Sequence, residues 1–164
     1  VVRGTPLMIQ MLIIYYFPGL VLGNPIWGGG ESGRFLAASV AFIFNYACYF
    51  SVIYRGGIQG IPQGQTEAGL VLGMTKHQIF FKVKLLQMVK RIVPPMSNEI
   101  ITLVKDTSLA YALSVEELFF MANKQTNANG VITPLIIAGI YYYFFNLLLS
   151  LLFRFIEKKL NYYK

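Results

Sequence analysis

The sequence predicts an all-α, polytopic membrane protein with four spans and one ordered polar segment between the second span and the third. Three observations predict it. Of 164 residues, 55% are hydrophobic and only 13% are charged, about half the charged share of an ordinary soluble domain. The charges gather at the ends of long apolar runs instead of forming one patch. Residues 54–87, YRGGIQGIPQGQTEAGLVLGMTKHQIFFKVKLLQ, are polar, basic and punctuated by glycine, so they cannot lie in lipid.

The elements follow in order. Residues 4–30 carry no charge, and their apolar part, residues 6–22, is the first span. Residues 35–54 are also charge-free and match the length needed to cross the hydrocarbon core. The third span, 94–115, is less apolar because Glu99, Lys105 and Asp106 fall inside it. The fourth, 131–153, is the clearest. Together these make residues 1–164 one transmembrane domain with a cytoplasmic loop over 55–92. The chain opens Val-Val-Arg without Met, and we read this start as a cut end of a longer protein, not as a trimmed signal.

Orientation follows from lysine and arginine. Arg55, Lys76, Lys82, Lys84, Lys90 and Arg91 share the long loop, Arg154, Lys158, Lys159 and Lys164 follow the last span, and Arg3 precedes the first. Four crossings put these regions on one side, which the positive-inside rule makes cytoplasmic. The other side receives Arg34 and Lys124 beside Glu31, Glu116 and Glu117, with Trp27 at a depth suited to an interfacial aromatic.

Several function classes drop out. The net charge of +7 is spread over span ends, so nucleic-acid binding is not expected. One cysteine, Cys48, allows neither an internal disulfide nor a thiolate metal cluster. The single histidine, His77, lies in the polar segment without neighbouring ligands, so neither a metal nor a histidine-based catalytic site is expected. Residues 60–66 mimic the turn of a phosphate-binding loop but lack its lysine, so the chain should hold no ATP and no other cofactor.

Within the polar segment Gly56, Gly57, Gly60, Gly64 and Pro62 should break any long helix. Residues 66–72 then read as a short helix stopped by Gly73. Thr75 with Gln78 three residues on fits a capping box opening a second helix. Turn, short helix, turn and longer helix together make a rigid knob. An interfacial helix without a partner is the plainer alternative. In the membrane, Lys105 and Asp106 are costly and should face a polar interior. They read either as part of a translocation path, or as a satisfied structural pair or caps where a broken helix turns. Asn45 and Tyr49 share one helix face and line the same path or bond between helices.

EAGLVLG at 67–73 resembles the EAA loop of bacterial ABC importer permeases. RGTPLMIQ at 3–10, YRGGIQGIPQGQTEA at 54–68, PPMSNE at 94–99 and LVKDTSL at 103–109 narrow the resemblance to the polar amino acid uptake branch, which serves glutamine, histidine, arginine, lysine and cystine. The resemblance covers nearly the whole chain. It implies a type I importer core, here without its first helix and the start of its second. Gly69 stands where the family has a second alanine, Leu86 where it has proline, and Val52 where it often has glutamate.

The resemblance implies that the short helix is a coupling helix seated in a groove of a separate ATPase. Gly64, Gln65, Glu67, Ala68, Gly73 and Met74 are its contact positions, and Asn45, Tyr49, Glu99, Lys105, Asp106 and Ser108 are the path candidates. It also implies ABC ATPase subunits that hold ATP and Mg, a second permease copy or sister permease, an extracytoplasmic solute-binding protein, an amino acid substrate and the bacterial inner membrane. The alternative, suggested by Val52, is a regulatory or scaffolding membrane subunit that docks an ATPase and moves no substrate. An ion-driven transporter would not need the knob.

Overall fold

The computed structural model describes residues 2–160, which form helices and no strand among them. Lys164, counted above in the basic C-terminal cluster, lies outside the described residues. Helix α1 is Leu7–Leu20, α2 Glu31–Gln59, α3 Gly64–Val71, α4 Lys76–Ile79, α5 Leu85–Asp106, α6 Leu118–Asn129 and α7 Thr133–Leu160. The chain forms two compact units. One comprises the residues up to Tyr49 with Ile101–Leu148, the other Phe50–Ile100 with the chain from Leu149 onward.

By length and composition two described helices suffice to cross a membrane, α2 and α7, while α1 is a shorter apolar helix. Only 6% of the most apolar window of α7 is buried. Its leucines and aromatics therefore face outward, which suits lipid and not a water-excluded core.

In the first unit, α1 begins directly after Pro6 and carries Pro18 inside it. Proline has no N–H, so the carbonyl four residues back, that of Ile14, loses its helical donor. The indole Nε1 of Trp27 donates to that oxygen at 2.7 Å, folding the glycine-rich segment back along α1. Met11 is fully buried on α1, and Ala37, Ala38 and Ala41 are buried on α2. Small residues on one helical stripe let backbones approach closely where lipid supplies no hydrophobic drive.

Three sequence expectations need correction. Gly56 and Gly57 do not break the second helix, which runs through them to Gln59. Gly57 instead permits close packing in the second unit, since a Cβ there would overlap Ile92. The break falls at residues 60–63, around Pro62. The helix opened by Thr75 does not stop in the loop. It passes from α4 through one π-helical stretch, Phe80–Lys84, directly into α5. Residues 94–115 are consequently not one α-helix. The α-helical part ends at Asp106, a 3₁₀ segment covers Thr107–Leu113, and Ser114 turns the chain with φ 54°.

The segment 114–130, which carries the Glu116, Glu117 and Lys124 assigned above to the side opposite the cytoplasmic loop, contains α6. Glu117 caps it, its carboxylate accepting the N–H groups of Phe119 at 2.7 Å and Phe120 at 2.6 Å. A carboxylate there meets both the free donors and the positive end of the helix.

Candidate functional site

The knob is built in the second unit from local backbone chemistry. Gly73 has φ +73°, a conformation other L-residues adopt at a cost. Its N–H reaches the Leu70 carbonyl at 2.9 Å, and the Met74 N–H reaches the Gly69 carbonyl at 3.0 Å. These two bonds form a Schellman motif, so α3 ends at a defined point. Thr75 then opens α4. Its Oγ1 accepts the Gln78 N–H at 3.3 Å, and its own N–H donates to Gln78 Oε1 at 2.9 Å. This is the reciprocal capping box expected from the spacing.

Gly69 joins the two helices. Ile79 is 1% exposed, and a Cβ at position 69 would meet its Cγ1 at 2.6 Å and its Cδ1 at 2.9 Å. Ile79 therefore fills the space a β-methyl would take. The glycine that departs from the resembling pattern is matched by a branched side chain lying over it.

Gly64, Gln65, Glu67, Ala68 and Gly73 are all exposed, and Met74 is half-buried. Gln65 is tied to α5, where Gln87 Nε2 donates to its Oε1 at 3.3 Å. Sequence reasoning missed the tip. Val71 is 87% exposed and Leu72 78% exposed. Both lie inside EAGLVLG, and apolar residues directly before a glycine stop were the available signal.

The path candidates divide. In the first unit Asn45 is buried, and its Nδ2 donates to Gln10 Oε1 at 3.0 Å. Gln10 Nε2 in turn donates to Thr5 Oγ1 at 2.7 Å and to the carbonyl of Val2 at 2.8 Å. The Arg3 guanidinium lies 4.5 Å from the centroid of the Tyr49 ring, a cation–π contact. The Tyr49 ring is 6.1 Å from that of Tyr46, and the buried Tyr46 hydroxyl donates to Asp106 Oδ2 at 2.8 Å. Asn45, Tyr49 and Asp106 thus share one cluster, with Arg3, Gln10 and Tyr46 as members the sequence did not single out.

Lys105 and Ser108 instead line an open cleft of about 430 Å³ with Tyr142 and Phe119. Lys105 does not pair with Asp106, because adjacent helical residues point to different faces. The mutual ion pair weighed above is not formed. Glu99 is half-buried in the second unit and belongs to neither group. Val52 is exposed on α2.

The family whose model matches is the binding-protein-dependent transport system inner membrane component, over residues 1–162. The chain belongs to this family. It is 39% identical over 166 residues to the L-cystine transport system permease protein of Bacillus subtilis, covering 99% of this chain and 67% of that one. It is 36% identical over 162 residues to the arginine transport system permease protein of the same organism, covering 98% and 71%. Against the octopine transport system permease protein of Rhizobium radiobacter the identity is 34% over 160 residues, with 94% and 64% covered. A crystal structure of an amino acid ABC transporter with histidines superposes with a TM-score of 0.79 at 28% identity, over 96% of this chain and 71% of that chain. This binding-protein-dependent inner membrane component is therefore a transmembrane subunit of an importer, with the fold of an ABC importer permease.

Proposed function

We propose that this subunit carries amino acids across the bacterial cytoplasmic membrane, driven by separate ATPase subunits that bind the α3 knob. The carrying observation is the knob itself. A Schellman stop, a capping box and the Gly69–Ile79 contact hold it rigid, while Glu67, Val71 and Leu72 stand out from it. A rigid projection with an apolar tip and an acidic first turn suits a groove on a partner. The relatives named for cystine, arginine and octopine support an amino acid or an amino acid derivative as the cargo.

In this reading residues 6–22, 35–54, 94–115 and 131–153 lie in the membrane, within one domain over residues 1–164, and the 55–92 segment is cytoplasmic. A second permease, identical or a sister, completes the path, an extracytoplasmic binding protein delivers substrate, and ATP with Mg is held by the ATPase. Gly64, Gln65, Glu67, Ala68, Gly73 and Met74 face the ATPase. Asn45, Tyr49, Glu99, Lys105, Asp106 and Ser108 border the path. The test is ATP-dependent uptake of radiolabelled cystine, arginine and glutamine by the full-length assembled complex in proteoliposomes. Uptake of at least one is expected, and ATP hydrolysis without uptake of any amino acid would favour a docking scaffold instead.

A further inference from the structure

The open cleft of about 430 Å³ in the first unit is built around a single charge. Lys105, Ser108, Phe119, Leu135, Gly139 and Tyr142 line it, and of these only Lys105 is charged. Among the described residues no carboxylate lies within ion-pair distance of its ammonium group. The carboxylates nearest in the fold are committed elsewhere. Asp106 accepts from the Tyr46 hydroxyl. Glu117 accepts the Tyr142 hydroxyl at 3.1 Å and the N–H groups of Phe119 and Phe120. Ser108 donates its hydroxyl to the Lys105 carbonyl at 2.8 Å and adds no charge. On the third span proposed above, Lys105 lies eleven residues along α5 from Pro94, about 16 Å. That is about half the thickness of the hydrocarbon core. A lone ammonium group at this depth is costly, and such groups ordinarily face a water-filled cavity on a transport route. Lipid phosphates lie outside the core, so a headgroup is not the anion that Lys105 can meet there.

We propose that this cleft holds the cargo during its passage and that Lys105 takes the cargo's carboxylate. Phe119, Leu135 and Tyr142 offer apolar and aromatic surface to the rest of the molecule. One convergent charge among apolar and aromatic walls is the usual make-up of a small-molecule site. A bond from an ammonium group to a carboxylate is roughly twice as strong as a neutral one, and here it also relieves the cost of the lone charge. This rests on the amino acid import proposed above and adds which group of the cargo is read, and by which residue.

The test is equilibrium binding to the full-length permease assembled with its ATPase in lipid nanodiscs. The amino acid that wild type binds, chosen from cystine, arginine and glutamine, is compared with its decarboxylated amine, which keeps the ammonium group and the side chain. Wild type should prefer the amino acid by about tenfold or more, the scale of one charge-assisted hydrogen bond. Lys105→Met should erase most of that preference, and Lys105→Arg should retain part of it. A β-carbon at Gly139 would find open space, so a larger side chain there has room to fill the cleft. Gly139→Leu should therefore weaken binding of the acid and of the amine alike, by about tenfold or more. This variant decides the question if Lys105→Met does not assemble. A preference kept in Lys105→Met, or full binding in Gly139→Leu, would overturn the cleft as the site and leave amino acid import standing. Wild type that binds no amino acid would overturn both.

Discussion

Gly69 shows how one side chain can settle a backbone choice. Its missing β-carbon is replaced by Ile79, which is nearly wholly buried against it. Gly69→Ala should therefore destabilise the knob by about 1–3 kcal/mol, the usual cost of overpacking a filled site. Ile79→Val in the same chain should recover part of that loss by removing one of the crowding carbons. Thermal unfolding of the full-length protein in detergent, with hydrogen exchange across residues 64–79, would check both. Equal protection in the single and double variants would mean that the contact carries no strain. Thr75→Ala should cost about 1 kcal/mol by removing half of the capping box, seen as faster exchange at Gln78.

The knob as an element was legible in the sequence because every signal for it is local. Glycine before a helix restart, Thr three residues before Gln, and a short run between them specify their own hydrogen bonds. The long helices were less legible. Gly56 and Gly57 look like breakers until a neighbouring helix needs the room they leave, as Ile92 does at Gly57. Cap chemistry marks where α4 starts but cannot show that a π-helical stretch carries it into α5. The functional expectation at this scale is sharp. Glu67→Lys reverses the charge of the first turn of α3, and Gly73→Arg forces a β-substituted residue into φ +73°. Each should reduce substrate-stimulated ATP hydrolysis by the assembled complex at least tenfold with membrane insertion unchanged. Val71→Ser, at the most exposed apolar position of the tip, should weaken ATPase association and leave the knob folded. Normal stimulation in all three variants would remove the docking role.

At the scale of the whole molecule, the proposed orientation makes a plain demand. Lys82, in the π-helical stretch, is cytoplasmic, and Asn127, in α6, faces the opposite side. With Cys48 replaced, a cysteine at 127 in the full-length protein should react with a membrane-impermeant maleimide in intact cells, and a cysteine at 82 should not. The reverse pattern would invert the topology. The path candidates were only half legible at this scale. Charge inside an apolar run identified Asp106 and Lys105, but helical rotation sends them to different surroundings. Only the fold brings Arg3 to Tyr49 and Tyr46 to Asp106, contacts of 46 and 60 residues' separation along the chain.

Trp27 is the sole tryptophan of the chain, and its indole closes the gap that Pro18 leaves in α1 by donating to Ile14. That makes it a built-in optical reporter. While the segment folds back along α1, the indole N–H is committed to a carbonyl. If transport swings that segment away, the N–H must turn to water or headgroups, and its emission should move to longer wavelength. Intrinsic fluorescence of the full-length subunit, reconstituted with partners freed of tryptophan, would then follow α1 through a cycle without any attached dye. Pro18→Ala would give the calibration. It restores an intrahelical donor to Ile14, leaves the indole without its sole claim on that oxygen, and should shift the resting spectrum before any substrate is added.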